Sequence, residues 1–466
     1  MHIADDAAQA PPIASDAPWW RGLTSYQWFV FLVASLGWLF DTMDQQLFNL
    51  ARVPAVSQLT GAKPGAPDGI VAFYGGVTTC IFMLGWATGG IFFGVLGDKI
   101  GRAKTMMLTI LAYSAFTGLS AISQGVWDFA AYRFLTGLGV GGQFSVGVSL
   151  VAEVMSDRAR PHALGWLQAL SAVGNMMAAV IAIGLGVVEG QGVAISAWRS
   201  MFLVGLLPSL LAIPVFLKLK EPERWKEAVR KEEVEEAGVE PAKKLGSISE
   251  LFSDPRWRRN TIVGMILAFS GVVGLWGIGV FSNDLTRLVL ANHYKKLGLP
   301  DSEIAGKLTF WAGMTLLMFN AGAFFGIQGF SWLTHRTGRR PAFAISFVLA
   351  AISTAATFYL MKEFWHIFIL FPIMGFCQLA IFGGYAIYFP ELFPTRLRST
   401  GISFCYNVGR FVAASGPFAL GYLTSDVFRG YAEPMRYAGV TMCLVFVLGL
   451  LALPFAPETK GQPLPE

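Results

Sequence analysis

Residues 94–104 read Gly94-Val-Leu-Gly97-Asp98-Lys-Ile-Gly101-Arg102-Ala-Lys104, a charged, glycine-punctuated turn set between two long apolar blocks. Its core returns as His335-Arg-Thr-Gly338-Arg339, so that position 98 maps onto position 335, again between apolar blocks. Two further signatures recur at nearly the same displacement. Glu153, Arg158 and Arg160 return as Glu391, Arg396 and Arg398, and Pro222-Glu223 returns as Pro457-Glu458. Three signatures sharing one offset to within a few positions point to a duplication, so the architecture of the chain follows from that of one half.

Outward from these turns, apolar stretches cover approximately 26–50, 70–96, 105–124, 127–152, 162–188, 198–217, 260–282, 308–332, 342–361, 364–389, 400–424 and 437–456. Each is about the length that an α-helix needs to cross a hydrocarbon core ~30 Å thick. Composition agrees: 54% hydrophobic and 14% charged residues over 466 positions, with mean hydropathy +0.53, do not cover a water-facing surface. The expected fold class is an all-α membrane protein of twelve transmembrane helices, arranged as two six-helix bundles that are parallel repeats. The expected organisation is a tail over 1–25, a first bundle over 26–217, a charged central loop over 218–259, a second bundle over 260–456 and a tail over 457–466.

The net charge of +5 sits mostly between the spans and therefore bears on topology, not on nucleic acid, and no basic tract with interleaved aromatics occurs. Basic residues gather in alternate connections: Lys99, Arg102 and Lys104, then Arg158 and Arg160, the central loop, Arg336, Arg339 and Arg340, and Arg396 and Arg398. The positive-inside rule places these loops and both termini in the cytoplasm, with Lys295, Lys296 and Lys307 as one basic exception outside. The membrane is expected to be a plasma membrane or a bacterial inner membrane. The tail over 1–25 carries Asp5, Asp6 and Asp16 without a basic region ahead of an apolar core, so it does not read as a signal peptide. Cys80, Cys377, Cys405 and Cys443 lie singly in apolar segments without metal-ligand spacing.

The turn at 94–104 and its return resemble the loop signature of the major facilitator superfamily, and the resemblance extends over all twelve spans. It implies that Asp98, Gly101 and Arg102 form a polar latch on the cytoplasmic side, and that the second copy, with His335 in place of the acid, latches more weakly. Glu153, Arg158 and Arg160, and Glu391, Arg396 and Arg398, each offer one acid and two arginines where even-numbered spans reach the cytoplasm, as a switchable ion-pair cluster requires. Pro222-Glu223 and Pro457-Glu458 resemble the ends of helices six and twelve in sugar porters. Leu36-Gly-Trp-Leu-Phe-Asp41-Thr-Met-Asp44, with Arg133-Phe-Leu-Thr-Gly137-Leu-Gly139-Val-Gly141-Gly142-Gln143, is similar to proton-coupled organic-acid symporters of the sialate, aromatic-acid and monocarboxylate branches.

Charges inside the membrane cost at least ~2.5 kcal/mol on insertion scales, so each is a functional hypothesis. Asp41 in the first span and Arg133 in the fourth fall at similar depth, and Asp44 shares a helix face with Asp41 toward the outer, wetter side. Two such acids rarely both ionise, which makes Asp41, or else Asp44, a proton acceptor. Arg133 then either alternates between Asp41 and an anionic substrate or braces helices one and four as a static pair. Arg410 falls near the midplane of the eleventh span, with Asn407 one turn earlier on the same face. Its guanidinium suits a carboxylate bidentately, or is neutralised by carbonyls or by an acid from another helix. Gln143 and Gln378 are candidate cavity contacts, and Gly85-x-x-x-Gly89, Gly90-x-x-x-Gly94 and Gly322-x-x-x-Gly326 are candidate close-packing seams.

No H-E-x-x-H, G-x-S-x-G or Walker A motif occurs, which argues against an enzyme or an ATP-driven pump. No cofactor is expected, with the proton as coupling ion. The reading is a secondary active transporter, a proton-coupled symporter taking up a small organic anion by alternating access, complete in one chain and so working as a monomer. A proton-coupled sugar symporter is the alternative; a drug exporter or a non-transporting receptor fits less well.

Overall fold

In the computed structural model, which describes residues 18–61, 69–190, 196–236, 244–278, 282–413, 419–420, 422–431 and 433–466, every regular element is a helix and no strand occurs among these residues. Six long helices build the first half: α1 (Ser25–Thr60), α2 (Gly69–Lys99), α3 (Arg102–Ser120), α4 (Val126–Val154), α5 (Arg160–Gly190) and α6 (Ala197–Lys218). Six build the second: α7 (Pro255–Trp276), α8 (Asp301–Thr337), α9 (Arg339–Leu360), α10 (Ile367–Leu392), α11 (Arg398–Ala413) and α12 (Pro434–Phe455). Among the described residues, nine of these are individually long and apolar enough to cross a membrane. The other three, α1, α3 and α11, carry Asp41 and Asp44, Tyr113 and Thr117, and Asn407 and Arg410, and these side chains are all buried. In α1 and α3 the buried polar groups dilute the apolar signal, and neighbouring helices shield those faces from lipid; α11 is described over 16 residues.

Two helices outrun the lengths read from sequence. At 36 and 37 residues, α1 and α8 are each about 55 Å long, well beyond a ~30 Å core, and project at the face away from the basic turns. The stretch expected as an outer loop around Lys295 and Lys296 is a helix, Ser282–Lys296. Its Leu285, Val289 and Leu290 pack with Ile304, Phe358 and Phe371 in a core of their own, which turns the lysines outward. In the charged central loop, Glu223–Glu236 and Ile248–Ser253 are helical.

Small residues set the helix approach. A Cβ on Gly85 or Gly89 would lie 2.2 or 2.1 Å from the carbonyl oxygens of Phe134 and Leu138 in α4, and one on Gly322 or Gly326 would lie 1.9 or 2.0 Å from those of Pro372 and Phe376 in α10. Gly90 and Gly94 do the same across the halves. Cβ atoms there would strike Asn407 at 2.1 Å and Ser403 at 2.4 Å, so these glycines seat α11 of the second half against α2 of the first.

The basic turns show why the duplication preserved glycine. Gly101 and Gly338 have φ of 112° and 96°, and a Cβ on either would run into the carboxylate of Glu221 or Glu458. Those carboxylates cap the next helix: Glu221 accepts from the N–H groups of Ala103 and Lys104 at 3.1 Å, and Glu458 from those of Arg339 and Arg340 at 2.9 and 3.0 Å. Pairing Pro222-Glu223 with Pro457-Glu458 is thereby corrected. The structural partner of Glu458 is Glu221, at the same displacement that carries Gly101 to Gly338, whereas Glu223 is exposed and pairs with Lys226. Partial burial pushes the Glu458 pKa up, but the N–H groups of Arg339, Arg340 and Lys460 outweigh it and hold the carboxyl below its ordinary range. The cap is therefore fully present at neutral pH and is lost only as pH falls through that lowered value.

Candidate functional site

Both aspartates of α1 are fully buried, including Asp44, which was expected on the wetter side. From the helix start at Ser25, Asp41 lies about 24 Å and Asp44 about 28 Å along the axis. Asp41 accepts one bond from Gln45 Nε2 at 3.4 Å through Oδ2, leaves Oδ1 without a partner, and is within electrostatic range of Asp44 and Arg410. Asp44 faces Thr117 and Arg133 with neither oxygen in a hydrogen bond of normal geometry, beside the position of Gly205 in α6.

The two arginines sort differently from the depth-matched pair that the sequence suggests. Arg133 faces Asp44, not Asp41. Its Nε and Nη2 donate to Ser120 Oγ at 3.0 and 2.6 Å and its Nη2 to Thr136 Oγ1 at 3.0 Å, while the rings of Phe202, Phe48 and Phe129 surround its guanidinium at 4.6, 5.6 and 5.9 Å. Arg410 is the cation beside Asp41. It donates to Asn407 Oδ1 and is sandwiched between Trp86 at 4.0 Å and Tyr406 at 4.1 Å, with Nε unpartnered. No sequence signal singled out these rings, because Trp86 and Tyr406 come from different halves.

Other buried polar atoms at this level also lack partners among the described residues. Gln143 accepts from Thr109 at 2.6 Å but leaves Nε2 free, and Gln378 donates to Thr354 at 2.7 Å but leaves Oε1 free. Trp38 Nε1 and Tyr113 OH are likewise unpaired. Measured along their helices from the basic face, these groups and Arg410 fall roughly 16–24 Å deep, in one band with Asp41. Buried groups of this kind are otherwise hydrogen-bonded, so a band of them is a candidate site for a polar ligand.

Between this band and the basic face the halves are locked together. Asp98 accepts from Ser399 N at 3.1 Å and from Thr400 N and Oγ1 at 2.8 and 2.6 Å, which places a carboxylate on the N-terminus of α11. Arg102 pairs with Asp98 at 2.8 Å and takes Glu153 with two bonds at 3.2 and 2.9 Å, while Arg398 reaches Glu153 from the other half at 2.8 Å. All four side chains have no accessible surface. Glu153 and Glu391 thus do not pair with the arginines of their own signatures, whereas Asp98 does pair with Arg102. Glu391 takes Arg339, Arg396 takes Glu250 of the central loop, Arg160 takes Asp157, and Arg158 is exposed within electrostatic range of His162.

Duplication also exposes an asymmetry. Asp98 and Thr400 have His335 and His162 as their repeat equivalents, and these stack at 4.0 Å and 16°, with Trp19 stacked on the other side of His162 at 5.9 Å. The acid-to-histidine change thus replaces one polar latch by a ring stack across the same interface. His335→Asp is expected to supply the missing carboxylate beside His162 and tighten closure, so that a cysteine at Ser331, buried in the interface, is modified several-fold more slowly by a maleimide applied to the basic face. Unchanged labelling would leave the stack without a latching role.

The first part of the chain, residues 34–291, matches the model of the Major Facilitator Superfamily, and residues 263–460 match that of the Sugar (and other) transporter family. The chain is 28% identical over 444 residues to a probable 4-methylmuconolactone transporter of Cupriavidus pinatubonensis, covering 95% of this chain and 93% of that one. It is 28% identical over 453 residues to the cis,cis-muconate transport protein of Acinetobacter baylyi, covering 94% and 97%. The proton:xylose symporter XylE, solved with 6-bromo-6-deoxy-D-glucose, superposes with a TM-score of 0.70 at 17% identity over 94% of this chain and 98% of that one. With the superfamily model matched over more than half its length and the twelve helices in two repeated bundles, the chain belongs to the Major Facilitator Superfamily and is a multi-pass membrane transporter, not an enzyme.

Proposed function

We propose that the protein carries a small organic anion into the cell together with a proton, with Asp41 taking the proton and Arg410 the carboxylate. One observation carries this reading: Asp41 and Arg410 are buried side by side from different halves at mid-depth, and each keeps an unpartnered polar atom. An ionised Asp41 neutralises Arg410 and competes for it. Once Asp41 holds a proton, the guanidinium is free for a substrate carboxylate, and loading both leaves the site without net charge, the state that crosses most cheaply. Trp86 and Tyr406 cover the guanidinium faces, so its edge presents the donors, which suits a carboxylate in plane and a flat acid alongside the rings. The muconate and muconolactone carriers among the relatives support substrates of that kind. Arg133, held by its hydroxyls and phenyl rings with Asp44, is a brace between α4, α3 and α6 in this scheme.

The basic face is cytoplasmic in this proposal, and the Asp98–Thr400 and Glu153–Arg398 contacts are the closed inner gate of an alternating-access cycle. Each chain holds one complete pathway and works as a monomer. A sugar substrate is the second reading, favoured by the free amide atoms of Gln143 and Gln378 and by the sugar-transporter match.

A thermal-shift screen of the purified protein against small organic acids and neutral sugars at two pH values separates the two. A set of acids that stabilises more at the lower pH supports the proposal, and stabilisation by sugars alone overturns it. Arg410→Lys is expected to weaken acid binding about 10- to 100-fold, the loss of a charge-assisted bond worth roughly 1.5–3 kcal/mol. An unchanged apparent affinity would make Arg410 structural.

A further inference from the structure

We propose that the groove between α7 and α12 at the basic face is a specific site for an anionic phospholipid, with its phosphate at Arg258 and Arg259 and one acyl chain along Ile262, Ile266 and Ala452. The groove measures about 320 Å³ and is walled by these residues and Phe455. Its lower wall is apolar and faces outward from the bundle: Ile262, Ile266 and Phe455 are 45%, 36% and 63% exposed, as side chains against lipid tails are. Its mouth is cationic. Arg259 Nε donates to Phe455 O at 2.9 Å, Arg340 of α9 reaches Pro454 O at 3.4 Å, and Arg256 lies over the Trp257 ring at 4.6 Å.

Among the described residues these arginines carry no counter-charge, a condition shared at this face by Arg336, which instead lies over the Trp332 ring at 4.2 Å. Arg102, Arg160, Arg339, Arg396 and Arg398 each form an ion pair, whereas Arg256, Arg258, Arg259 and Arg340 form none among the described residues. The acids nearby are turned to backbone: Asp254 accepts from Arg256 N and Trp257 N at 2.8 and 3.3 Å, and Glu458 from the amides of Arg339 and Arg340. Four guanidinium groups at headgroup level, with no carboxylate of their own, are complementary to a phosphodiester, which accepts from a guanidinium in bidentate fashion.

The duplication allows the chemistry of this charge to be compared between the halves. Pro255-Arg-Trp-Arg-Arg259 is the repeat equivalent of Pro18-Trp-Trp-Arg-Gly22, and Arg340 that of Ala103. Of the four cations, only Arg258 has a basic counterpart, Arg21. The first half reaches the same face with Arg21, Lys104, Lys218 and Lys220, three of them lysines, so what is particular to the second half is the concentration of guanidinium groups at one lipid-facing groove. Apolar walls below the arginines select a lipid over free phosphate.

The test uses full-length protein in detergent, titrated with dioleoyl-phosphatidylglycerol or dioleoyl-phosphatidylcholine at equal mole fraction, with the melting temperature as readout. Phosphatidylglycerol is expected to raise it by several degrees more than phosphatidylcholine. That difference is at least halved in the Arg258→Gln, Arg259→Gln double variant and in Ala452→Trp, which fills the groove and leaves the arginines intact, but is kept in Arg21→Gln. Equal stabilisation by the two lipids overturns the proposal, as does a preference undiminished in Ala452→Trp or reproduced by inorganic phosphate.

Discussion

Asp41→Asn is expected to reduce substrate accumulation driven by an inward proton gradient to background while leaving counterflow of bound substrate within several-fold of normal. The amide is isosteric, so Gln45 keeps its neighbour and the fold is unchanged, but the group no longer binds a proton or carries charge. Arg410 then loses its competitor permanently. Substrate affinity measured by thermal shift is expected to become nearly independent of pH, whereas the unmodified protein is expected to bind acids more tightly as pH falls. Reconstituted vesicles with an imposed pH gradient measure accumulation, and preloaded vesicles without a gradient measure counterflow. Accumulation that still follows the gradient would remove Asp41 from the coupling role. Asp44→Asn gives the contrast. It leaves Arg133 buried without a counter-charge among Phe48, Phe129 and Phe202, so its expected signature is a lower melting temperature, with coupling preserved in the protein that survives.

That contrast also shows how far the sequence reaches. Span number, duplication and the list of buried charges are legible because each rests on composition and on one-dimensional spacing. Depth is legible too, since rise per residue converts position into height. Azimuth is not. Asp41 and Arg133 were matched on height, yet Asp44, less than one turn further on, is the acid turned toward α4 and α6, and Asp41 is turned toward α11 of the other half. The charge pairs fail for the same reason. Glu153 shares a short signature with Arg158 and Arg160, but its partners are Arg102 at the start of α3 and Arg398 at the start of α11, because α4 ends between α2 and α11. Repeat arithmetic recovers some of this. Glu221 and Glu458 share the displacement of Gly101 and Gly338, whereas matching the Pro-Glu letters selects Glu223, which points to solvent. A strict offset is therefore a better guide than a matching dipeptide, since duplicated backbones keep register where side-chain letters drift.

Glu153→Gln is expected to open the basic face, and its repeat equivalent Glu391→Gln is expected not to. Both carboxylates are buried, and each takes an arginine of its own half in a two-bond clasp, Arg102 at 2.9 and 3.2 Å and Arg339 at 2.7 and 2.9 Å. Breaking a buried pair by removing one charge costs about 3–5 kcal/mol, so both variants lose melting temperature. Only Glu153 also binds across the halves, through Arg398, whereas Glu391 adds Thr459 of its own half. The share of the loss that falls on Arg398 exists only while the face is closed. At roughly 1.5–3 kcal/mol for a charge-assisted bond, it shifts the closed-to-open ratio about 10- to 100-fold toward open. A cysteine at Ser331 reads this directly, because it is buried between α8 and α5 until the face opens. Faster maleimide labelling in Glu153→Gln than in Glu391→Gln, at matched loss of stability, assigns closure to the Glu153–Arg398 bond. Equal rates in the two variants would move that role to Asp98 at the N-terminus of α11, where Thr400→Val removes one of its three donors from that helix without leaving an arginine unpaired.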